Sequence, residues 1–392
     1  MKQHRVFIIS DKQFPHGDAG GNRIEYMAKC FQHEEIQTIV ISLGKNSDPD
    51  FDAEKGLYVA DGIWYKNAIV KKSFVSWYLL SGFKIGTIID EFSPNENDRV
   101  VIYSTNPIFI SLIRKNLKRV GAIYYDVVEW DDENSFHYKK LDPHYWLFRW
   151  CFYGIFLNGN GIIAISKNIE SFFKSKGKKT VLFPICLDSK VLSRDYDYRN
   201  TGNSKLKLIY PGNPENKDDI AKVIRAITDI VKEKGPVLEL HFTAVSQNRI
   251  SKLLGTQSFL LEELGSTITF HPWLEYEQLI QLYYSMDALI LFRFDNQVCR
   301  SNFPSKVPEL LSCGLFIIAN ECGDFFEYLT DKVDSLRIEG NSEEDCKNTI
   351  IQALSLSEEK KSEMSKNAIL CAETKFNYKS FSKALSNFVV DE

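Results

Sequence analysis

Short apolar runs separated by amphipathic stretches recur along this chain and constrain its fold more than any other feature. In the first half the runs fall at Val6–Ser10, Thr38–Ser42, Val100–Ser104, Ala122–Val128, Gly161–Ser166 and Thr180–Phe183. Helix-like segments lie between several of them: Gly21–Gln32, Ser73–Asp90, Pro107–Lys118, His144–Asn158 and Lys167–Lys176. A strand that reads as continuously apolar is buried on both faces, and strands joined by helices pair in parallel. A polar, irregular stretch then interrupts the pattern. It restarts with runs at Leu206–Tyr210, Val237–Phe242, Thr267–Phe270, Ala288–Phe292, Leu315–Ala319 and Ser335–Ile338. The expected fold class is therefore α/β with two Rossmann-like parallel-sheet domains.

The boundaries follow from the same pattern. Residues 1–187 form the first domain, 188–205 the linker and 206–372 the second domain. The tail from Ser357 to Val390 reads as helical throughout. Gly56–Lys66, with Asp61-Gly62 at its centre, reads as an inserted hairpin.

A length of 392 residues suits two cores, and 44% hydrophobic with 26% charged residues leaves neither half disordered. A net charge of −4 argues against a protein that coats nucleic acid. The eight cysteines are scattered without a CxxC pair, as expected for a reduced setting. Met1–Arg5 leads directly into the first strand with no signal peptide, and no apolar run approaches the roughly 20 residues that span a bilayer. The expected location is the cytoplasm. Two aromatic stretches, Phe74–Leu80 and Tyr145–Phe156, with Lys71, Lys72, Lys139 and Lys140 nearby, fit either a buried wall or a peripheral contact at the inner membrane face.

The densest chemistry is Asn302-Phe303-Pro304-Ser305-Lys306-Val307-Pro308-Glu309, followed by Cys313-Gly314 and the apolar run Leu315–Ala319. It reads as a turn, a short helix, a glycine stop and a buried strand. A hydroxyl, an ammonium and helix N–H groups suit a diphosphate, while Glu309 suits ribose hydroxyls. This segment resembles the donor-site signature of retaining GT-B glycosyltransferases of the family 4 type, in its Phe-Pro-Ser-Lys-x-x-Glu subgroup. The common form of that signature has two glutamates; here Ser301 stands where the first would be, so only the ribose role carries over. The resemblance implies two domains facing across a cleft, with a last helix, 373–392, crossing back to the first domain. It also implies a nucleoside-diphosphate sugar, UDP above all, as donor, a saccharide or lipid-linked glycan as acceptor, and no metal or other cofactor.

Further donor-site residues come from matching positions. Gly20 and Gly21 follow the first strand, where a glycine loop lets a backbone approach phosphate; the alternative is a glycine turn without a ligand. Gly212-Asn213 opens the second domain. The family often carries an Arg at the position of Asn213 and a Lys a few residues on, a role that Lys217 fits; either Lys306, Arg300 or Arg293 supplies the missing charge, or diphosphate binding is weaker. Gly323 lies at the mouth of a later helix, with Asp324 as its N-cap. On the acceptor side, Asp126 and Glu129 end a strand at the edge that faces ligands in parallel sheets, beside Asp131-Asp132. His16 lies in the first glycine loop. The expected catalytic set is thus Asp126, Glu129, His16, Lys217 and Lys306. A nucleotide-sugar sensor without turnover and a GT-B epimerase are the alternative functions.

Overall fold

The computed structural model describes residues 4–15, 19–46, 50–70, 80–188, 205–214 and 217–390. Two compact units result: residues 1–186 together with 378–392, and residues 187–377. The expected linker lies almost wholly outside the described residues.

The first unit holds β1 (Arg5–Gln13), β2 (Gln37–Leu43), β3 (Phe51–Asp52), β4 (Leu57–Ala60), β5 (Ile63–Ala68), β6 (Asp98–Tyr103), β7 (Ala122–Val127), β8 (Gly161–Ala164) and β9 (Lys179–Leu182). They form one sheet in the order β3-β4-β5-β2-β1-β6-β7-β8-β9. Pairing is parallel from β5 through β9, and β3-β4-β5 is an antiparallel edge. Asp61 and Gly62, at φ 47° and 79°, make the two-residue turn between β4 and β5. Residues such as Val6, Ile8, Val40, Val101 and Ile163 are fully buried, because helices cover both sheet faces. Met27 and Phe31 of helix Ala19–His33 share that core with Leu385 and Val389 of the last helix.

The tail is not one continuous helix. Glu358–Lys375 ends at Phe376, which is fully buried in the second unit, and a new helix, Lys379–Val390, starts after the break. The division between units therefore falls at 377/378, a few residues beyond the expected 372/373.

The second unit holds β10 (Leu206–Pro211), β11 (Leu238–Thr243), β12 (Ile268–Phe270), β13 (Ala288–Leu291), β14 (Phe316–Asn320) and β15 (Ser335–Ile338), all parallel, in the order β12-β11-β10-β13-β14-β15. In each sheet the first strand in sequence lies between the next strand and one from further along. That strand is β1, between β2 and β6, in the first unit, and β10, between β11 and β13, in the second. Loops leaving the carboxyl ends of strands at such a switch point diverge and open a crevice for ligand. In the second unit these are the loops that carry Gly212, Asn213 and Lys217–Asp219, and Phe292–Asn302.

Candidate active site

The signature segment folds as its residue types require. Pro308 sits in the first turn of helix Lys306–Ser312, where a missing N–H breaks no helical bond. Gly314, at φ 77°, ends the helix: its N–H bonds Leu311 O at 2.8 Å and the Leu315 N–H bonds Leu310 O at 3.0 Å. This paired closure uses the left-handed conformation that glycine adopts without steric cost. Ser305 precedes the helix, and its side chain makes no cap bond to it. The Lys306 ammonium donates to Glu309 Oε2 at 2.9 Å, with the lysine side chain 42% exposed and the glutamate 14%. The two groups expected to hold a donor thus hold each other, at a site still open to solvent.

Around this helix the loops are tied by a network that the sequence did not reveal. Arg293, 3% exposed, donates from Nε to Asp218 Oδ1 at 3.1 Å and from Nη1 to Asn302 Oδ1 at 2.8 Å. Asn320, at the end of β14, accepts from the Arg293 N–H at 2.7 Å and donates to its carbonyl at 2.9 Å. Tyr210, in β10, donates its hydroxyl to Asp218. The Lys217 carbonyl accepts from the Phe294 N–H at 3.1 Å and from the Cys299 thiol at 3.2 Å. A planar guanidinium with several fixed donors suits this junction of loops from three strands.

Arg293, expected as a donor-site cation, is buried here with its Nε and Nη1 donors engaged in this network. Arg300 is exposed and pairs with the exposed Asp295 at 2.6 Å, an open pair like that of Lys306. The candidate cations are thus Arg300, Lys306 and Lys217, the last half-buried in the loop after β10. Asn213 is exposed at the position where the resemblance would put an arginine.

Two glycines have stated physical reasons. Gly212, at φ 98°, adopts a conformation that side chains disfavour, although open space surrounds the place of its missing Cβ. Gly323, at φ 64°, is also crowded: a Cβ would lie 3.2 Å from Cys299 O and 3.3 Å from Arg300 O. Its lack of a side chain lets the loop after β14 pack on the 299–302 backbone. Asp324 occupies the N-cap position of helix Phe325–Tyr328, but its side chain makes no cap bond, contrary to expectation.

The first unit revises several expectations. Gly20 and Gly21 are not a loop; both are buried in the first turn of helix Ala19–His33. A Cβ on Gly21 would lie 2.8 Å from Gln13 O, so this glycine permits the helix to pack against β1. His16 lies outside the described residues. Asp126, expected at the acceptor side, is 2% exposed and receives two bonds of 2.7 Å from Arg23. Arg23 also donates to the carbonyls of Phe183 at 2.9 Å and Pro184 at 3.2 Å. Burial works against its positive charge, but the facing carboxylate wins and holds the guanidinium pKa above its usual value. Asp126 thus faces a buried guanidinium at the end of its strand rather than open solvent.

Glu129 is half-buried in the loop after β7, where Trp130 stacks on Phe152 at 5.0 Å and donates to the Tyr153 hydroxyl at 3.0 Å. The structure adds Asp11, at the carboxyl end of β1. Burial raises its carboxyl pKa, against the pull of Lys12 and Ser104. In the sequence it is one of four successive polar residues, Ser10 to Gln13, that follow the apolar run, and nothing there sets it apart. Among the described residues, no three His, Cys, Asp or Glu side chains converge as metal ligands.

Residues 205–355 match the family model for Glycosyl transferases group 1. No curated protein matches the chain by sequence. Among solved structures, a glycosyltransferase from Rickettsia africae ESF-5 aligns at TM-score 0.69 and 14% identity, over 99% of this chain and 100% of that one. The HepE protein of Anabaena, in complex with UDP and glucose, aligns at 0.67 and 13% identity, over 98% and 99%. Sucrose-phosphate synthase from Thermosynechococcus elongatus aligns at 0.71 and 12% identity, over 98% of each chain. The shared architecture is the GT-B fold.

Proposed function

We propose that this chain, a glycosyltransferase by its matched domain and fold, moves a sugar from a nucleoside diphosphate to an acceptor hydroxyl with retention of anomeric configuration. The observation that carries this reading is the Lys306–Glu309 pair beside Ser305, on a helix inside the matched segment. An incoming nucleotide sugar would replace that internal bond. Glu309 takes the ribose hydroxyls, while Lys306, Ser305 and Lys217 neutralise the diphosphate as the anomeric C–O bond breaks. The acceptor oxygen forms the new bond on the same face, and its proton passes to the departing phosphate oxygen. The first unit serves the acceptor, with Glu129 in its β7 loop.

UDP is the proposed nucleotide, supported by the HepE relative that binds UDP and glucose. The reaction takes no metal in this reading, and activity unchanged by EDTA is the expected outcome of that assay. A peripheral membrane contact at the cytoplasmic face belongs to the same reading. It is supported by Tyr138, Leu141, Trp146 and Trp150, which are 53–88% exposed, next to the exposed Lys139 and Lys140. No helix among the described residues is long and apolar enough to cross a membrane.

A specific observation favours a second reading. With Arg293 buried and Asn213 replacing an arginine, the site offers fewer cations to a leaving diphosphate, as a nucleotide-sugar sensor or an epimerase would tolerate. A panel of UDP-, GDP- and ADP-sugars separates these outcomes. Slow release of nucleotide is expected; interconversion of donors, or binding without turnover, would overturn the transferase reading.

A further inference from the structure

Two of the eight cysteines meet in the second unit, on loops tied by the network around Arg293. Cys299 lies in helix Gln297–Ser301 after β13, and Cys322 in the loop after β14, the neighbouring strand. The loops pack backbone to backbone, which is why a Cβ on Gly323 would lie 3.2 Å from Cys299 O. Each thiol also holds part of the same turn. Cys299 donates to the Lys217 carbonyl at 3.2 Å and Cys322 to the Phe294 carbonyl at 3.6 Å, while the Phe294 N–H bonds the Lys217 carbonyl at 3.1 Å. The two side chains bond each other as well.

The electrostatics make one thiol the attacking group. The bond from Cys322, helped by the charges of Arg293 and Lys217, holds the Cys299 thiol below its ordinary pKa. The same bond, together with burial, pushes the Cys322 thiol up. A thiol with thiolate character, beside a second that can resolve its first oxidation product, is what reversible oxidation requires. Both cysteines are buried, yet their chain neighbours Arg300 and Glu321 are exposed. The first unit supplies a contrast. Cys30 and Cys186 bond each other too, but both lie in the apolar core, and burial raises the Cys186 thiol well above its ordinary value.

We propose that Cys299 and Cys322 form a peroxide-sensitive dithiol that regulates the donor site. The Cys299 thiolate attacks one oxygen of hydrogen peroxide, giving a sulfenic acid and a hydroxide, which takes up a proton and leaves as water. The Cys322 sulfur, losing its proton, then displaces the sulfenic hydroxyl as a second water. Two thiols and one peroxide become one disulfide and two waters; each sulfur gives up one electron, and the peroxide takes both. A disulfide sulfur has no hydrogen to donate, so the Lys217 carbonyl loses its bond from Cys299 and the Phe294 carbonyl its bond from Cys322. The loop that carries the Lys217 ammonium then rests on fewer bonds.

The effect on donor binding rests on the glycosyl-transfer reading; the disulfide does not. The full chain would be treated with hydrogen peroxide, alkylated in denaturant with iodoacetamide, digested without reductant and mapped by mass spectrometry. UDP binding would be measured by calorimetry before and after treatment. A peptide pair joined through Cys299 and Cys322, lighter by two hydrogens than its parts, is expected, with Cys30 and Cys186 alkylated as free thiols. UDP affinity should fall about 2- to 10-fold, the worth of one hydrogen bond, and return with dithiothreitol. Cys322→Ser should abolish the joined pair and, before peroxide, bind UDP as the wild type does. Cys299 and Cys322 left unlinked, a link between Cys30 and Cys186 in their place, or an unchanged UDP affinity in the linked chain would each overturn the proposal. A reduced chain that binds no UDP would overturn the donor-site reading and the regulation built on it, while the joined peptides would still decide the disulfide.

Discussion

Two acid–base pairs, one in each unit, show how differently a carboxylate can be used in an α/β fold. Asp126 and Arg23 are sealed, with side chains 0% and 2% exposed, and carbonyls of Phe183 and Pro184 complete the guanidinium's bonds. Glu309 and Lys306 share one bond at an accessible helix start. A sealed pair has no better partner to exchange for and serves the fold. An open pair is worth little to stability and can be exchanged for a ligand. The lesson is that residue type and strand-end position nominate a site, while burial and partner decide its use.

The comparison breaks if the sealed pair proves dispensable. Asp126→Ala leaves a buried, uncompensated Arg23, a change that typically costs about 3–5 kcal/mol. Denaturant unfolding should show that loss in the first unit; a change within error would put the pair among the adaptable ones. Next in size, Lys306→Ala should lower kcat about 100- to 1,000-fold, as removal of one preorganised charge at a developing anion does. Its melting temperature should stay near wild type, because a single pair with a solvent-accessible lysine contributes about 1 kcal/mol or less. Unchanged turnover would remove Lys306 from the chemistry. Glu309→Ala should weaken UDP binding about 10- to 100-fold, the worth of charge-assisted hydrogen bonds, measured by calorimetry.

Much of this was legible in the sequence, for identifiable reasons. Apolar runs such as Val6–Ile9 and Phe316–Ala319 are strands because nothing else buries them so completely, and Asp61-Gly62 has one preferred turn. Gly314 closed its helix as a stop should. What failed were pairings over long separations. Arg23 meets Asp126, and Arg293 meets Asp218, across spans where local pattern says nothing about contact. Gly20 and Gly21 misled because a glycine pair marks close approach of backbone to anything, and here the neighbour is Gln13 O.

The smallest expected effect sharpens the contrast between units. His241 and His271 lie 2.9 Å apart in the second unit, and burial lowers both imidazole pKa values. Their stabilising contribution is complete above about pH 6.5, the ordinary imidazole value, and is lost as pH falls below it, because the unfolded chain binds protons more readily. Melting followed from pH 7.5 to 5.5 should fall modestly, and His271→Gln should flatten that slope. A slope identical in the variant would mean that other groups set it.

The most direct test of the central claim is a crystal structure of the chain soaked with UDP. The account predicts the Glu309 carboxylate within hydrogen-bonding distance of the ribose hydroxyls, its bond to Lys306 broken and the ammonium turned to the diphosphate. Nucleotide bound elsewhere, with the Lys306–Glu309 bond intact, would contradict it.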